Sequence, residues 1–388
     1  MNDVFIVAAK RTPIGSFNGT LSQLTAPQLG AVAIAAAVRQ AGLEAGAVEE
    51  VIMGHVLSAN TGQSPATQAA VLAGLHHTPS MAVNKVCASG MKAVMMAAQS
   101  IAMGHLEVAV AGGMESMSNV PYYLGKARQG YRLGHGSLED GLLKDGLWDV
   151  YNNFHMGEAA ELCADKYRIG REEQDAYAAA SYTRANAAVA GGLFAEEIAP
   201  VALPKGKGET AVDEEPGLLN LEKMPGLRTV FRQQGTVTAA NASPLSDGAA
   251  ALVLMSGNMV GKLGVKPLAR IVSYADAQLA PADFTIAPAT ALPLALKRAG
   301  LKKEEVDFFE INEAFSVVAL ANTKLMGLQP AKINVNGGAV ALGHPLGASG
   351  ARILVSLLYI LRQRQARTGA AAICNGGGGA SAMVVESL

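Results

Sequence analysis

Cys87 stands where a short β-prone stretch, residues 83–86, gives way to a helix. Small residues follow the cysteine directly, and an apolar helical pattern begins near Val94. The N-terminus of a helix leaves N–H groups unpaired and carries a partial positive charge, so a thiol placed there can be held as the nucleophilic thiolate. The alternative is a small, inert cysteine buried in a core rich in glycine and alanine.

A histidine and a second cysteine occupy glycine-rich turns near the other end of the chain. His344 lies between glycines, in a loop that leads into a predicted helix near Ala348. Cys374 ends a buried-strand pattern, and the four glycines 376–379 follow it closely. Successive glycines let a ligand approach the main chain and leave N–H groups free to face an anion. The alternative for His344 is an ordinary histidine on a surface loop.

Two further polar residues stand at predicted element boundaries. Asn312 follows a predicted strand, residues 306–311, and precedes a predicted helix. Its amide suits either a helix cap or a group that holds a water molecule or an oxyanion. His155 precedes a predicted helix over 157–169, where a cap or a surface position is the simpler interpretation.

Two other kinds of site use the same residue types. A zinc site needs four ligands, usually with two cysteines or two histidines closely spaced, and no pair in this chain has that spacing. A Cys-His protease or amidase would use Cys87 and His344. It would leave Cys374, which also stands in a glycine-rich turn, without a role.

Composition bounds the class of protein. Of the 388 residues, 50% are apolar and 16% are charged, which predicts a large buried core. The net charge of −1 gives no broad attraction to nucleic acid or to an anionic membrane. Three cysteines do not suit a disulfide framework, and no apolar run is long enough to span a bilayer. The start of the chain lacks a signal-peptide pattern, so we expect a cytoplasmic protein.

Strands and helices alternate along both ends of the chain, which predicts an α/β fold. The first part contains predicted strands over 4–9, 48–56 and 108–111 and predicted helices over 29–41, 62–74 and 88–103. The glycines at 112 and 113 are expected to stop the third strand. From about 118 to 246 the alternation breaks, and helical and loop-like stretches suggest an insertion.

An internal repeat divides the chain. Gly42 and Val48 recur as Gly300 and Val306 with the same spacing, and the sequence Ala-Ser-Gly at 88–90 recurs at 348–350. The similar offset of the two echoes indicates two α/β halves of like topology. We therefore expect an N-terminal half (1–117), an inserted loop domain (118–246), a return to the first half (247–268) and a C-terminal half (269–388). A ligand site is expected in the cleft between the halves.

Six segments, in this order, are similar to the motifs of the thiolase family: 84–92, 112–118, 155–157, 312–315, 337–352 and 374–379. The resemblance covers essentially the whole chain. Within the family the chain most resembles the acetyl-CoA acetyltransferases, or acetoacetyl-CoA thiolases. His155-Met156-Gly157 and the stretch 236–243 are typical of that branch.

The resemblance implies a five-layer αβαβα arrangement of the two pseudo-repeated halves, with the insertion covering CoA. It implies a reversible Claisen condensation of two acetyl-CoA molecules to acetoacetyl-CoA and CoA, through an acetyl group on Cys87. His344 would activate that thiol, and Cys374 would act as acid and base. A water held by Asn312 and the N–H of Gly376 would stabilise oxyanions.

Binding residues and partners are also implied by the resemblance. The acyl and pantetheine contacts would be His155, Met156, Lys223, Phe231, Ser243, Leu245 and Phe315. A potassium site of some members corresponds to Tyr182, Ala239, Ala240, Ala242 and Val340; no other cofactor is implied. The expected partners are acetyl-CoA, acetoacetyl-CoA, CoA and further copies of the chain in a homotetramer.

Three alternatives of related fold stay open at this point. The chain is either the short-chain enzyme described or a longer-chain 3-ketoacyl-CoA thiolase. A relative that binds acyl-CoA without turnover would carry the same fold. A condensing enzyme of the fatty-acid type would use a Cys-His-His or Cys-His-Asn set, and the Cys374 motif argues against it.

Overall fold

The computed structural model describes residues 2–218 and 220–388. Its strands are β1 (Val4–Arg11), β2 (Gly15–Ser16), β3 (Glu50–Gly54), β4 (Ser80–Val83), β5 (Val108–Ser116), β6 (Tyr122–Tyr123), β7 (Glu139–Asp140), β8 (Trp148–Asp149), β9 (Phe154–His155), β10 (Val201–Ala202), β11 (Glu209–Thr210), β12 (Ser246–Ser256), β13 (Ala269–Gln278), β14 (Phe308–Ile311), β15 (Thr368–Asn375) and β16 (Gly379–Ser387). Its helices are α1 (Ala26–Gln40), α2 (Pro65–Leu72), α3 (Ser89–Ala102), α4 (Met156–Tyr167), α5 (Arg171–Ala190), α6 (Gly257–Leu263), α7 (Pro288–Ala299), α8 (Ser316–Met326), α9 (Ala339–Leu342) and α10 (Leu346–Gln363).

The main sheet repeats one topology twice. Its strand order is β14-β15-β16-β13-β1-β12-β5-β3-β4, with β2 added to β12. In the first half β3 pairs parallel with β4 and β5, and β5 pairs antiparallel with β12. In the second half β14 pairs parallel with β15, and β15 pairs antiparallel with β16. The halves join where β1 and β13 pair antiparallel.

Helices fill the middle and both outer layers. The apolar residues of α3 and α10 form one buried core with strands from both halves. Helices α1 and α2 cover the outer face of the first half, and α7 covers that of the second. This arrangement confirms the predicted fold of two pseudo-repeated α/β halves in five layers.

Close packing at glycines explains both the echoed Ala-Ser-Gly sequence and one wrong prediction. A Cβ added to Gly350 would lie 2.5 Å from the Met91 backbone nitrogen, so the glycines let the starts of α3 and α10 touch. The prediction that Gly112-Gly113 stop a strand is wrong, because β5 continues through them to Ser116. A Cβ added to Gly112 would overlap the backbone of β12, and one added to Gly113 would overlap the backbone of α10. These two glycines therefore allow close backbone contact and do not turn the chain.

The insertion is fixed to the first half by a buried ion cluster. Arg11 at the end of β1 donates to both carboxylate oxygens of Asp213 (2.6 and 2.8 Å) and to Glu197 (2.6 Å). All three side chains are buried. Because an unpaired charge at such depth is costly, the cluster holds this segment against β1 in one position.

Within residues 2–218 and 220–388, no helix has the length and apolar character needed to cross a membrane.

Candidate active site

Cys87 is presented by a strained turn between β4 and α3. Val86 has φ +48°, which is an unusual conformation for a β-branched residue. Two hydrogen bonds hold it: the Asn84 side-chain oxygen accepts from the Val86 N–H (2.9 Å), and the Ser89 hydroxyl donates to the Val86 carbonyl (2.5 Å). Cys87 therefore stands two residues before α3, with its side chain only 8% exposed. The predicted strand-to-helix position is correct.

A cavity of about 490 Å³ opens onto Cys87. Both halves and the inserted segment contribute to its wall, as expected for a site in the cleft between halves. The lining residues are Cys87, Met117, Leu143, Gly146, Leu147, His155, Met156, Val230, Phe231, Thr238, Ala239, Ala242, Ser243, Pro244, Leu245, Phe284, Ala314, Phe315, His344, Leu346 and Gly376. A mostly apolar wall with a few polar groups at one end suits a flexible thioester arm.

His344 reaches this cavity from the loop between α9 and α10. Its Nδ1 lies 2.6 Å from the Ser349 hydroxyl, which donates its own hydrogen to the Pro345 carbonyl (2.9 Å). Nδ1–H must then be the donor to Ser349, which leaves the lone pair on Nε2. Nε2 is buried and has no hydrogen-bond partner in the described part of the chain. The ring is thus a neutral base whose free nitrogen belongs to the site.

Cys374 and Gly376 arrive from the end of β15. Cys374 is fully buried and does not line the cavity, but its thiol is near enough to Cys87 for charge on Cys87 to raise the pKa of Cys374. The N–H groups of Gly376 and of Cys87 itself lie near enough to the Cys87 sulfur to lower the pKa of that thiol. The structure therefore brings together the two thiols, His344 and the predicted N–H donors.

Asn312 is not the helix cap that one interpretation predicts, because α8 begins only at Ser316 and Phe315 is its N-cap residue. Asn312 is 1% exposed and is not among the residues that line the cavity. Arg352 of α10 donates to its oxygen (3.4 Å) and also pairs with Glu310 (3.5 Å). A guanidinium can only donate, so it fixes the oxygen side of the amide. The amide nitrogen stays without a partner among the described residues.

Burial overrides the expected pKa of both cysteines. Burial raises the pKa of Cys87 to about 12, against the smaller lowering by the N–H groups of Gly376 and Cys87. The prediction of a preformed thiolate at the helix start is therefore wrong for the ligand-free protein. Burial, followed by charge on Cys87, also raises the pKa of Cys374 well above its ordinary value, so near-neutral tuning of that thiol is wrong too.

The pKa of His344 is shifted in the opposite direction. Burial and, to a smaller extent, the Arg352 cation lower its pKa to about 3. Thiol and imidazole are consequently both neutral before substrate binds. A pair made of a Cys87 thiolate and a His344 cation is therefore unfavourable in the ligand-free protein.

The predicted acyl and pantetheine contacts divide into two groups. His155, Met156, Phe231, Ser243, Leu245 and Phe315 all line the cavity. His155 stacks on Phe231 (4.6 Å between ring centroids), and Phe231 meets Phe315 edge to face (6.1 Å). His155 also caps α4 by accepting the Gly157 N–H (3.0 Å). Lys223 lies outside the cavity wall and is exposed.

Profiles of the thiolase N-terminal and C-terminal domains match residues 4–258 and 265–387. The chain belongs to the thiolase family. This thiolase is 57% identical over 392 residues to acetyl-CoA acetyltransferase 1 of Arabidopsis thaliana, covering 100% of this chain and 94% of the plant protein.

Solved thiolase structures agree in fold over the full length. The Acat5 thiolase of Ascaris suum in complex with coenzyme A is 45% identical, with a TM-score of 0.95 and complete coverage of both chains. The Bacillus anthracis acetyl-CoA acetyltransferase is 42% identical, with a TM-score of 0.97 and coverage of 100% of this chain and 99% of the other.

The residues predicted to hold potassium lie beside the same cavity. Tyr182, Ala240 and Val340 pack in one buried cluster, while Ala239 and Ala242 line the cavity. Within the described residues, no hydrogen bond reaches the carbonyl oxygens of the four aliphatic members. Free carbonyl oxygens are ligands of the kind that a hard cation takes.

Several residues of the site carried no signal in the sequence. Leu143, Gly146 and Leu147 come from a π-helical turn, Leu142–Leu147, inside the inserted segment, where no motif marks them. Ser349 stands in a recognised motif but without an assigned role. Its position five residues after His344, at the start of a helix, is the only sequence hint that the two side chains meet.

Proposed function

We propose that this thiolase is an acetyl-CoA C-acetyltransferase, which catalyses the reversible condensation of two acetyl-CoA molecules to acetoacetyl-CoA and CoA. The observation that carries the proposal is the meeting of two buried thiols, Cys87 and Cys374, with a neutral imidazole at the end of one apolar cavity. Relatives over the full length bear the name acetyl-CoA acetyltransferase, and one structural neighbour is described in complex with coenzyme A.

In the first half-reaction Cys87 is the nucleophile. As its sulfur attacks the thioester carbonyl of acetyl-CoA, its proton passes to Nε2 of His344. The N–H groups of Cys87 and Gly376 stabilise the oxyanion, and each lowers the activation barrier by on the order of 3 kcal/mol. The C–S bond to CoA then breaks, and the CoA sulfur takes a proton from Cys374. This leaves acetyl-Cys87, a His344 cation and a Cys374 thiolate.

Acetylation of Cys87 also changes the neighbouring thiol. Cys87 is a neutral thiol before the reaction and a neutral thioester after it, so the new charge in the site is that of His344. The His344 cation favours a thiolate at Cys374. The site thus makes Cys374 a usable base only once the acetyl group is in place.

In the second half-reaction Cys374 takes a proton from the methyl group of a second acetyl-CoA. The enolate oxygen accepts from His344 Nε2–H and from a water held by the Asn312 amide nitrogen. The methylene carbon attacks acetyl-Cys87, and the N–H groups of Cys87 and Gly376 again stabilise the oxyanion. Collapse releases acetoacetyl-CoA, and the Cys87 sulfur recovers its proton from His344.

Turnover with substrates of different chain length tests this function against its alternatives. Purified protein is given free CoA and acetoacetyl-CoA, or 3-ketoacyl-CoA of increasing length, and loss of the ketoacyl thioester is followed by absorbance. We expect CoA-dependent turnover that is fastest with acetoacetyl-CoA. Faster turnover of long chains would favour the longer-chain thiolase. Binding without turnover by folded protein would favour the non-catalytic relative.

Potassium is assigned to the site formed by Tyr182, Ala239, Ala240, Ala242 and Val340. The ion would brace the stretch 239–242, which lines the cavity at Ala239 and Ala242. Activity and melting temperature that rise with K⁺ but not with Na⁺ at equal ionic strength support this assignment. Equal responses to the two ions contradict it.

A homotetramer and a cytoplasmic location complete the proposal. Residues 124–139 are almost entirely exposed in one chain, including the side chains of Leu124, Leu133 and Leu138. Exposed apolar side chains on such a long surface segment suit a contact between two copies of the chain. Cys87, Cys163 and Cys374 are all free thiols, which fits a reducing compartment. Light scattering of the purified chain tests the tetramer.

A further inference from the structure

The catalytic steps leave the acidic residue of the 112–118 segment without a role. Glu115 stands next to the end of β5 and is fully buried. Its carboxylate accepts three backbone N–H bonds. Oε2 accepts from Val56 (3.1 Å) and Gly347 (2.9 Å), and Oε1 accepts from Leu57 (3.1 Å). Three N–H donors stabilise the charge of this buried carboxylate, which indicates that Glu115 has a specific structural role.

The three donors come from both halves of the molecule. Val56 and Leu57 follow β3 of the first half. Gly347 lies in the first turn of α10, three residues after His344, and belongs to the second half. An anion at the start of this 18-residue helix is also favoured by the helix dipole. Glu115 thereby ties the start of α10, which carries Ser349 and directly follows the His344 loop, to the half that carries Cys87.

The backbone segments around the Glu115 carboxylate are tightly packed. A Cβ added to Gly347 would lie 2.7 Å from the Met114 carbonyl oxygen and 2.9 Å from Glu115 Oε2. A Cβ added to Gly54 would lie 2.7 Å from the Gly347 carbonyl oxygen. Backbones of β3, β5 and α10 are in direct contact here, so the carboxylate sets their spacing.

We propose that Glu115 is a positioning residue for the proposed reaction: its ionised carboxylate holds the start of α10 against β5 and the turn after β3, and so fixes His344 relative to Cys87. The inference rests on the proposed function for the roles of His344 and Cys87. It adds a residue that touches neither substrate nor the reacting atoms.

Burial and the groups around Glu115 together set the pKa of its carboxyl group. His55, on the turn after β3, has Nε2 3.4 Å from Oε1, and burial lowers its pKa to about 4, so it is neutral. Burial raises the pKa of Glu115 to about 7, and Asp247 on β12 adds to this, while the bonds from Gly347, Leu57 and Val56 oppose it. In return, Glu115 raises the pKa of Cys87.

Two variants separate the effect of the Glu115 charge from the effect of its side-chain length. Glu115→Gln removes the charge and keeps the length, whereas Glu115→Asp keeps the charge but is too short to reach both halves. We expect both variants to lose about 100-fold in kcat, because a small misplacement of His344 has effects of that size. Only Glu115→Gln should speed alkylation of Cys87 by iodoacetamide, by several-fold, because removing a nearby anion favours the thiolate.

Glu161→Gln is the matched control. Glu161 is equally buried and accepts the N–H bonds of Thr236 and Val237 (2.8 Å each), but it does not act on the Cys87 thiol. It should lower the melting temperature and leave Cys87 alkylation, mapped by peptide mass, unchanged. The proposal is overturned if Glu115→Gln or Glu115→Asp retains kcat within about threefold of wild type, or if Glu161→Gln loses kcat to the same extent.

Wild-type protein gives a readout that needs no variant, should neither Glu115 variant fold. The rate of Cys87 acetylation by acetyl-CoA should fall as the pH drops through about 7, where Glu115 takes up a proton and one of its two acceptor oxygens becomes a hydroxyl. A rate that stays constant from about pH 8 to about pH 6 overturns the positioning role. Failure of the proposed function is distinct, since the wild type would then show no acetylation at any pH.

Discussion

Replacing Ser349 by alanine removes the side-chain contact that decides the tautomer of His344. The hydroxyl accepts from Nδ1–H at 2.6 Å and is itself fully buried. Without it the Nδ1–H group stays buried and unpaired, at a cost of about 1 to 3 kcal/mol. The ring can avoid that cost by moving its proton to Nε2, but Nε2–H cannot accept the proton of Cys87. We therefore expect kcat to fall by about 10- to 100-fold.

The assay is thiolysis of acetoacetyl-CoA, with Cys87 acetylation by acetyl-CoA measured separately by rapid quench. Both rates should fall together, because His344 acts in each half-reaction, while KM changes little. Ser356→Ala is the matched control, since Ser356 is a buried hydroxyl of the same helix that donates to Glu197 (3.3 Å) away from His344. Wild-type rates in Ser349→Ala, or an equal loss in Ser356→Ala, would refute the reasoning.

Three further outcomes follow from the same geometry. Cys374→Ala should lower condensation and thiolysis by about 10³-fold, measured as steady-state rates, because the acid of the first half-reaction and the base of the second are lost together. Phe231→Ala should raise KM for CoA substrates by about tenfold with a smaller change in kcat, because the stack on His155 and the edge contact are removed together. Asp276→Asn should lower the free energy of unfolding at pH 7 by about 1 kcal/mol, measured by urea denaturation. Burial would raise the pKa of Asp276, but Lys85 and Lys92 outweigh it and lower it to about 2; the figure is discounted because the side chain is 37% exposed.

The pH dependence of the Asp276→Asn effect has a definite sign. The folded pKa of about 2 lies below the ordinary value of 3.8, so the stabilisation is present above about pH 4 and is lost as the pH falls through about 2. A difference between wild type and variant that grows on acidification would contradict it. For Phe231→Ala the contrary result is a kcat effect larger than the KM effect. For Cys374→Ala it is turnover within about tenfold of wild type.

The positions of the reacting groups were predictable because their sequence signals are local. A cysteine between a β-prone run and a helix, and a cysteine before four glycines, each imply a turn of known kind. The internal repeat then implies that two such turns, one in each half, face the same cleft. For Cys87 and Cys374 the structure places the thiols together as that reasoning predicts.

Properties that depend on distant residues could not be predicted. The pKa of Cys87 is decided by burial among residues of both halves, which outweighs the nearby helix start. Gly112 and Gly113 resemble a strand stop, but their actual partners, on β12 and α10, are remote in sequence. Leu143 and Leu147 line the cavity because they lie on a six-residue π-helical turn. Such a short turn has no recognisable pattern in the sequence.

The most direct measurement of the central claim is the mass of the intact protein after brief incubation with acetyl-CoA and acid quench. Wild type should carry one acetyl group on the peptide containing Cys87, and Cys87→Ala should carry none. Cys374→Ala should gain the same adduct more slowly, because it lacks the acid that protonates the departing CoA. An adduct that persists in Cys87→Ala, or its absence from folded wild-type protein, would contradict covalent catalysis by Cys87.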